Sequence, residues 1–119
     1  MNVTIWHNPR CSKSRQTLAL LQDTGVSPDI RIYLNNPPNL QEIETTLIML
    51  NIPVIKMMRT GEAIFKDLGL TNTTSKADLI NAMVKHPILI ERPIVFANHK
   101  AVIGRPPTLA LSILKDLAD

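Results

Sequence analysis

Two hydrophobic periods alternate along the first third of the chain, and their order restricts the fold more than any other feature. Val3 and Ile5 recur at every second position over residues 2–7, which predicts a strand. From Ser12 to about Thr24 the spacing changes. Leu18 and Leu21 share one face at i,i+3, and Gly25 supplies a stop, so this stretch reads as a helix. Ile30, Ile32 and Leu34 then alternate again and predict a second strand over Asp29–Leu34, with those three side chains on one face. Strand, helix and strand in that order form a βαβ unit, which requires parallel strands and a right-handed crossover. The fold class expected is therefore α/β.

The middle of the chain reads differently. Asn35-Asn36-Pro37-Pro38 is a turn, and Asn39 can cap a helix carrying Leu40, Ile43, Leu47 and Leu50 at helical spacing. Asn51-Ile52-Pro53 interrupts it. Val54–Arg59 and Glu62–Leu68 read as short helical pieces, the second ended by Gly69. Ser75, with Asp78 three residues on, opens a further helix with Leu79, Ile80 and Met83 inward, and His86-Pro87 ends it. Met49, Met57, Met58 and Met83 fall in these patterns as core filler. No strand is expected here.

Arg92-Pro93 introduces a strand at Ile94–Ala97. Asn98-His99-Lys100 is a turn and Ala101–Ile103 its antiparallel partner. Gly104-Arg105-Pro106-Pro107 leads to a last helix with Leu109, Ile113, Leu114 and Leu117 inward. The order is βαβ, a helical insertion at about 39–86, then ββα. It matches the thioredoxin-like arrangement, here a single domain over residues 1–119. In such folds a functional cysteine opens the first helix and a cis-proline precedes the third strand, and Cys11 and Pro93 stand at those places.

Cys11 is the only cysteine. At a strand-to-helix junction it meets unpaired backbone N–H groups and the positive end of a helix dipole, which favour a thiolate and a bound oxyanion. Arg10, Lys13 and Arg15 add positive charge. Such settings lower a thiol from about 8.5 to roughly 3.5–7.5, so Cys11 reads as reactive rather than as a buried core residue. His7 could act as an acid or base or tune Cys11, or could only hydrogen-bond the loop. Ser14 holds the place of the second cysteine of a C-x-x-C pair, and its hydroxyl could reach the thiolate or bond the helix backbone.

The remaining composition excludes more than it selects. A net charge of +3 suits small anions, but no dense basic run or set of stacking aromatics points to nucleic acid. Met1–Arg10 lacks the apolar core of a signal peptide, and no apolar run is long enough to cross a membrane. One cysteine allows no internal disulfide, which suggests a cytoplasmic setting. His7, His86 and His99 are scattered and predict no metal site.

His7-Asn8-Pro9, Cys11 followed by Ser14-Arg15, Tyr33-Leu34 with Pro37-Pro38, Leu68-Gly69-Leu70, His86-Pro87-Ile88-Leu89, Arg92-Pro93-Ile94-Val95 and Arg105-Pro106 together carry a resemblance. The chain resembles the glutaredoxin-coupled, ArsC-type arsenate reductases along nearly its whole length. That resemblance implies a nucleophilic Cys11 with His7 beside it, supported by Ser14, Arg15 and Pro93. It also implies an oxyanion site of Arg59, Arg92 and Arg105. Arsenate or a similar oxyanion would be the substrate, glutathione the co-substrate and glutaredoxin the protein partner, with no bound cofactor. Arg10, Ser12 and Lys13 make the loop more basic than in the best-known members. The alternative is a redox-linked regulator of the same superfamily that binds RNA polymerase. Such proteins often use C-x-x-C, and Ser14 weighs against that switch. A phosphatase loop needs an arginine where Thr17 stands and is rejected.

Overall fold

The computed structural model describes residues 2–114. Its contacts divide into two units, Met1–Asn36 with Arg92–Asp119, and Pro37–Glu91. The first unit holds the whole sheet. Strand β1 (Val3–His7) runs parallel to β2 (Asp29–Ile32) and antiparallel to β3 (Ile94–Ala97), and β3 pairs antiparallel with β4 (Lys100–Ile103). The order β2-β1-β3-β4, with helix α1 (Ser12–Asp23) between the parallel pair, is the expected thioredoxin-like α/β sheet.

Alternation along β1 sends Val3 and Ile5 to one face, where they pack with Leu21, Val95, Ala97, Ala110 and Ile113. Each fully buried aliphatic side chain contributes about 1.5–3 kcal/mol. Trp6 points the other way and meets Phe96 with ring centroids 5.0 Å apart and planes tilted by 55°, while the Arg31 guanidinium lies 5.4 Å from its ring. The buried face of α1 changes character along its length. Leu21 is apolar, but Ser14 and Thr17, nearer the cysteine, are buried hydroxyls.

The β3–β4 hairpin turns on Asn98 and His99, both at positive φ (53° and 61°), the geometry of a two-residue type I′ turn that matches strand twist. Two expectations are corrected in this unit. Strand β2 stops at Ile32 rather than Leu34; Ile30 and Leu34 are exposed while Tyr33 is fully buried. The strand lies at the sheet edge, and the chain turns at residues 33–35, so period 2 no longer governs there. The last helix is a 3-10 segment, Pro107–Ser112, rather than an α-helix. Three residues per turn bring Ala110 and Ile113 inward together and leave Leu109 exposed. Leu117 lies outside the described residues.

In the second unit, Asn39 caps α2 (Leu40–Leu50) in a reciprocal box. Its Oδ1 accepts the Glu42 N–H (2.8 Å), and Glu42 Oε1 accepts the Asn39 N–H (3.0 Å). Ile43 and Leu47 are buried, whereas Leu40 is exposed. A 3-10 turn at Val54–Met57 and the short α3 (Ala63–Asp67) follow, with Gly69 at φ 71° behind α3. Helix α4 (Lys76–Lys85) is capped by Ser75 Oγ, which accepts the Asp78 N–H at 3.2 Å. Leu79, Ile80 and Met83 are its buried stripe, and a 3-10 turn at Pro87–Leu89 ends it. One isolated antiparallel bridge, Met58 to Ile90, is the nearest approach to a strand there. Among the described residues no helix is long and apolar enough to cross a membrane, and no cluster of metal-binding side chains is present.

Candidate active site

The chain leaves β1 at His7 and enters α1 at Ser12, so the four residues Asn8, Pro9, Arg10 and Cys11 must reverse direction and present Cys11 as the N-cap. Pro9 and a web of short bonds hold this turn. The Cys11 N–H donates to Asn8 O (3.0 Å), the Arg10 N–H to Asn8 Oδ1 (3.0 Å), and Arg15 Nη1 to Pro9 O (3.0 Å). Beneath it, buried Ser14 Oγ lies 2.7 Å from His7 Nδ1 and accepts the Asn8 N–H at 3.0 Å. Ser14 therefore bonds neither the thiolate nor its own helix backbone through its hydroxyl. It ties the last residue of β1 to the turn.

Cys11 has extended backbone angles (φ −95°, ψ 124°), and its half-buried side chain faces the open end of α1. Burial pushes its thiol up. The backbone N–H of Ser14, the charge of Arg92, the backbone N–H of Lys13 and the charge of Arg105 outweigh that and hold it below the ordinary thiol value. His7 is also lowered, by burial first and then by the charge of Arg15, so its ring stays neutral more readily than a free imidazole.

Sheet register explains how two distant arginines reach the cysteine turn. Trp6 lies opposite Ile94, and Ile94 opposite Ile103. Extending both registers by two residues beyond the strand ends sets Arg92 beside Asn8 on one side and beside Arg105 on the other. Arg105 Nη1 accordingly donates to Arg92 O (3.3 Å) and lies 4.0 Å from Cys11 Sγ. Both arginines precede cis-prolines, Pro93 and Pro106. The first was expected from the fold; the second was not.

Cys11, His7, Ser14, Arg15, Arg92, Pro93 and Arg105 thus all belong to the sheet unit, gathered by the β1 end, the start of α1 and the ends of β3 and β4. His7 contacts Ser14, and Arg15 braces Pro9. Arg59 belongs to the other unit, where its guanidinium pairs with Glu62 and its N–H donates to Leu89 O at 2.8 Å. Arg10 and Lys13 are exposed. Sequence reasoning missed the contact of Thr17 with Gly104, in which Thr17 Oγ1 lies 3.2 Å from the Gly104 carbonyl. The one available signal was a glycine immediately before Arg105-Pro106.

Residues 6–112 match the model of the ArsC family. The chain is 47% identical over 116 residues to an arsenate reductase of Haemophilus influenzae, covering 96% of this chain and all of that protein. It is 46% identical over 114 residues to the uncharacterized protein YfgD of Escherichia coli, covering 94% and 96%. The solved structure of an arsenate reductase from Vibrio cholerae superposes with a TM-score of 0.92 at 45% identity, covering 95% of this chain and 98% of that one. The family match takes in the cysteine turn, both cis-prolines and both neighbouring arginines, and the chain belongs to the ArsC family.

Proposed function

We propose that this protein is a thiol-dependent arsenate reductase with Cys11 as nucleophile, on the strength of one observation above all: the sulfur sits at a helix N-terminus, 4.0 Å from a guanidinium nitrogen, with its thiol held low. Arginine forks suit a tetrahedral oxyanion because one guanidinium can engage two oxygens. Arg92 and Arg105 supply two of these beside the sulfur. Arg59 is proposed as a third oxyanion ligand on family resemblance alone. Ser14, Arg15 and Pro93 shape the turn, and His7 acts through Ser14.

The Cys11 thiolate attacks arsenic, a sulfur–arsenic bond forms, and one oxygen leaves as water with the help of one proton. Arsenic is still pentavalent. A glutathione thiol then attacks Cys11 Sγ. The sulfur–arsenic pair passes to arsenic, which leaves as arsenite, and a Cys11–glutathione disulfide remains. Glutaredoxin reduces that disulfide. With one cysteine in the chain, the second sulfur must come from outside.

The test is arsenite formation with glutathione and glutaredoxin, run beside Cys11→Ser, with intact-mass analysis for a glutathione adduct on Cys11. Catalytic arsenite without added thiol overturns the mechanism. If neither arsenite nor the adduct forms under any thiol condition, the reductase reading fails and polymerase pull-down becomes the informative assay.

A further inference from the structure

We propose that Thr17 is a positioning residue for Arg105: its buried hydroxyl, by bonding the Gly104 carbonyl, fixes the peptide plane from which the arginine departs. The inference rests on Arg105 facing Cys11. It assigns a task to a residue whose sequence gave it none.

The geometry is local and closed. Thr17 is fully buried on the inner face of α1, and its Oγ1 lies 2.8 Å from Lys13 O and 3.2 Å from Gly104 O. A hydroxyl has one proton, which these two carbonyls share. The Gly104 carbonyl and the Arg105 N–H belong to one planar peptide group that also contains the Arg105 Cα. Thr17 holds the carbonyl end of that plane, and the Arg105 N–H donates to Ile103 O at 2.9 Å. The preceding plane is held as well, because the Gly104 N–H donates to Pro93 O at 2.9 Å. With backbone bonds on both sides of Gly104, the Arg105 side chain starts from a fixed point and reaches Arg92 O and Cys11 Sγ.

Gly104 completes the device by having no side chain. A Cβ there would stand 2.8 Å from Thr17 Oγ1, 2.9 Å from Thr17 Cγ2 and 3.0 Å from Pro93 Cγ. Thr17 cannot yield cheaply, since it is buried and bonded to its own helix. The same residue thereby joins two parts of the site. Lys13, whose carbonyl it contacts, contributes a backbone N–H to the thiolate, and Gly104 carries Arg105.

The experiment is a double-substitution cycle read at Cys11. Iodoacetamide alkylation of the whole chain is followed against pH for wild type, Thr17→Val, Arg105→Gln and the double variant. Valine keeps the shape and removes the hydroxyl. Expected are upward shifts of the midpoint for each single variant and no further shift in the double, with Thr17→Ser restoring the wild-type midpoint. Gly104→Ala, which breaks the contact from the other side, should shift the midpoint in the same direction and serves if Thr17→Val does not fold. Shifts of Thr17→Val and Arg105→Gln that add, or an unchanged midpoint in folded Thr17→Val or Gly104→Ala, overturn the proposal. None of this needs arsenate. In a separate arm, inorganic arsenate should protect Cys11 from alkylation, with roughly three- to tenfold weaker protection in Thr17→Val, the scale of one lost hydrogen bond. Absence of protection in wild type counts against the reductase reading and leaves the midpoint cycle to decide the role of Thr17.

Discussion

Replacing Ser14 by alanine should weaken the fold while leaving Cys11 acidic. Ser14 is fully buried, and its oxygen serves two groups, His7 Nδ1 at 2.7 Å and the Asn8 N–H at 3.0 Å. Each buried polar group left without a partner costs about 1–3 kcal/mol. His7 is buried and bears a full share; Asn8 is half-buried and water can meet part of its need. The sum is about 2–4 kcal/mol. Alanine recovers about 0.5 kcal/mol through its better helix propensity. The expected loss is therefore about 1.5–3.5 kcal/mol, against a typical total of about 5–15 kcal/mol. Urea unfolding followed by fluorescence of Trp6, the only tryptophan, measures it as a lower midpoint at unchanged slope. Alkylation of the same variant tests the other half. The Ser14 backbone N–H survives the substitution and remains the largest stabiliser of the thiolate, so the midpoint should stay below that of a free thiol. A stability loss under about 0.5 kcal/mol would refute the claim that the hydroxyl bridges β1 to the turn. A free-thiol midpoint in a stable variant would mean that the hydroxyl, not the N–H, carries the sulfur's charge.

Wild-type Cys11 should alkylate with a midpoint below ~8.5, the free-thiol value, and a midpoint at or above it removes the electrostatic argument. Arg92→Lys and Arg105→Lys keep the charge but lose the fork. Each should weaken arsenate or sulfate binding roughly tenfold by titration, and unchanged affinity in both would make these arginines structural. His7 is depressed by burial, so its contribution to stability is complete above about pH 6.5 and is lost as pH falls through its folded value. Unfolding free energy should thus fall as pH drops below about 6.5 in wild type, and fall less steeply in His7→Asn. Equal slopes would show that His7 titrates as it does in the unfolded chain.

Local chemistry made much of this fold legible. The caps at Asn39 and Ser75, the stop at Gly25 and the turn at Asn98-His99-Lys100 are all decided by neighbours within four residues. The parallel pair followed from periodicity because β1 has one face against a core. For β2 the same rule found the strand but carried it two residues too far, to Leu34, and for the last helix a three-residue period replaced 3.6. Cys11 was legible as a helix start, and Arg92 and Arg105 as arginine–proline pairs. The bond from Thr17 to Gly104 spans 87 residues, and no pattern along the chain distinguishes that threonine from the solvated ones.

What the sequence could not express is the register that turns those separate residues into one site. Side chains in a strand alternate, so a slip of one residue sends each to the opposite face. Strand β3 is fixed on both sides. Val95 lies opposite Ile5 and opposite Val102 and packs with Val3, Ile5 and Leu21 in one core, so a one-residue slip would carry Val95 out of that core and drive Ile94 or Phe96 into its place. The core thereby fixes where β3 begins, and Arg92 stands two residues before that point. The same register sets Arg92 beside Asn8, and its positive charge helps hold the Cys11 thiol low. Apolar packing at the centre of the sheet thus contributes, through Arg92, to the acidity of a sulfur at its end. A cavity in that core, such as Val95→Ala, should act on Cys11 only if it loosens the register. A midpoint that stays put while stability falls would show that backbone pairing alone is enough to hold Arg92 at the cysteine.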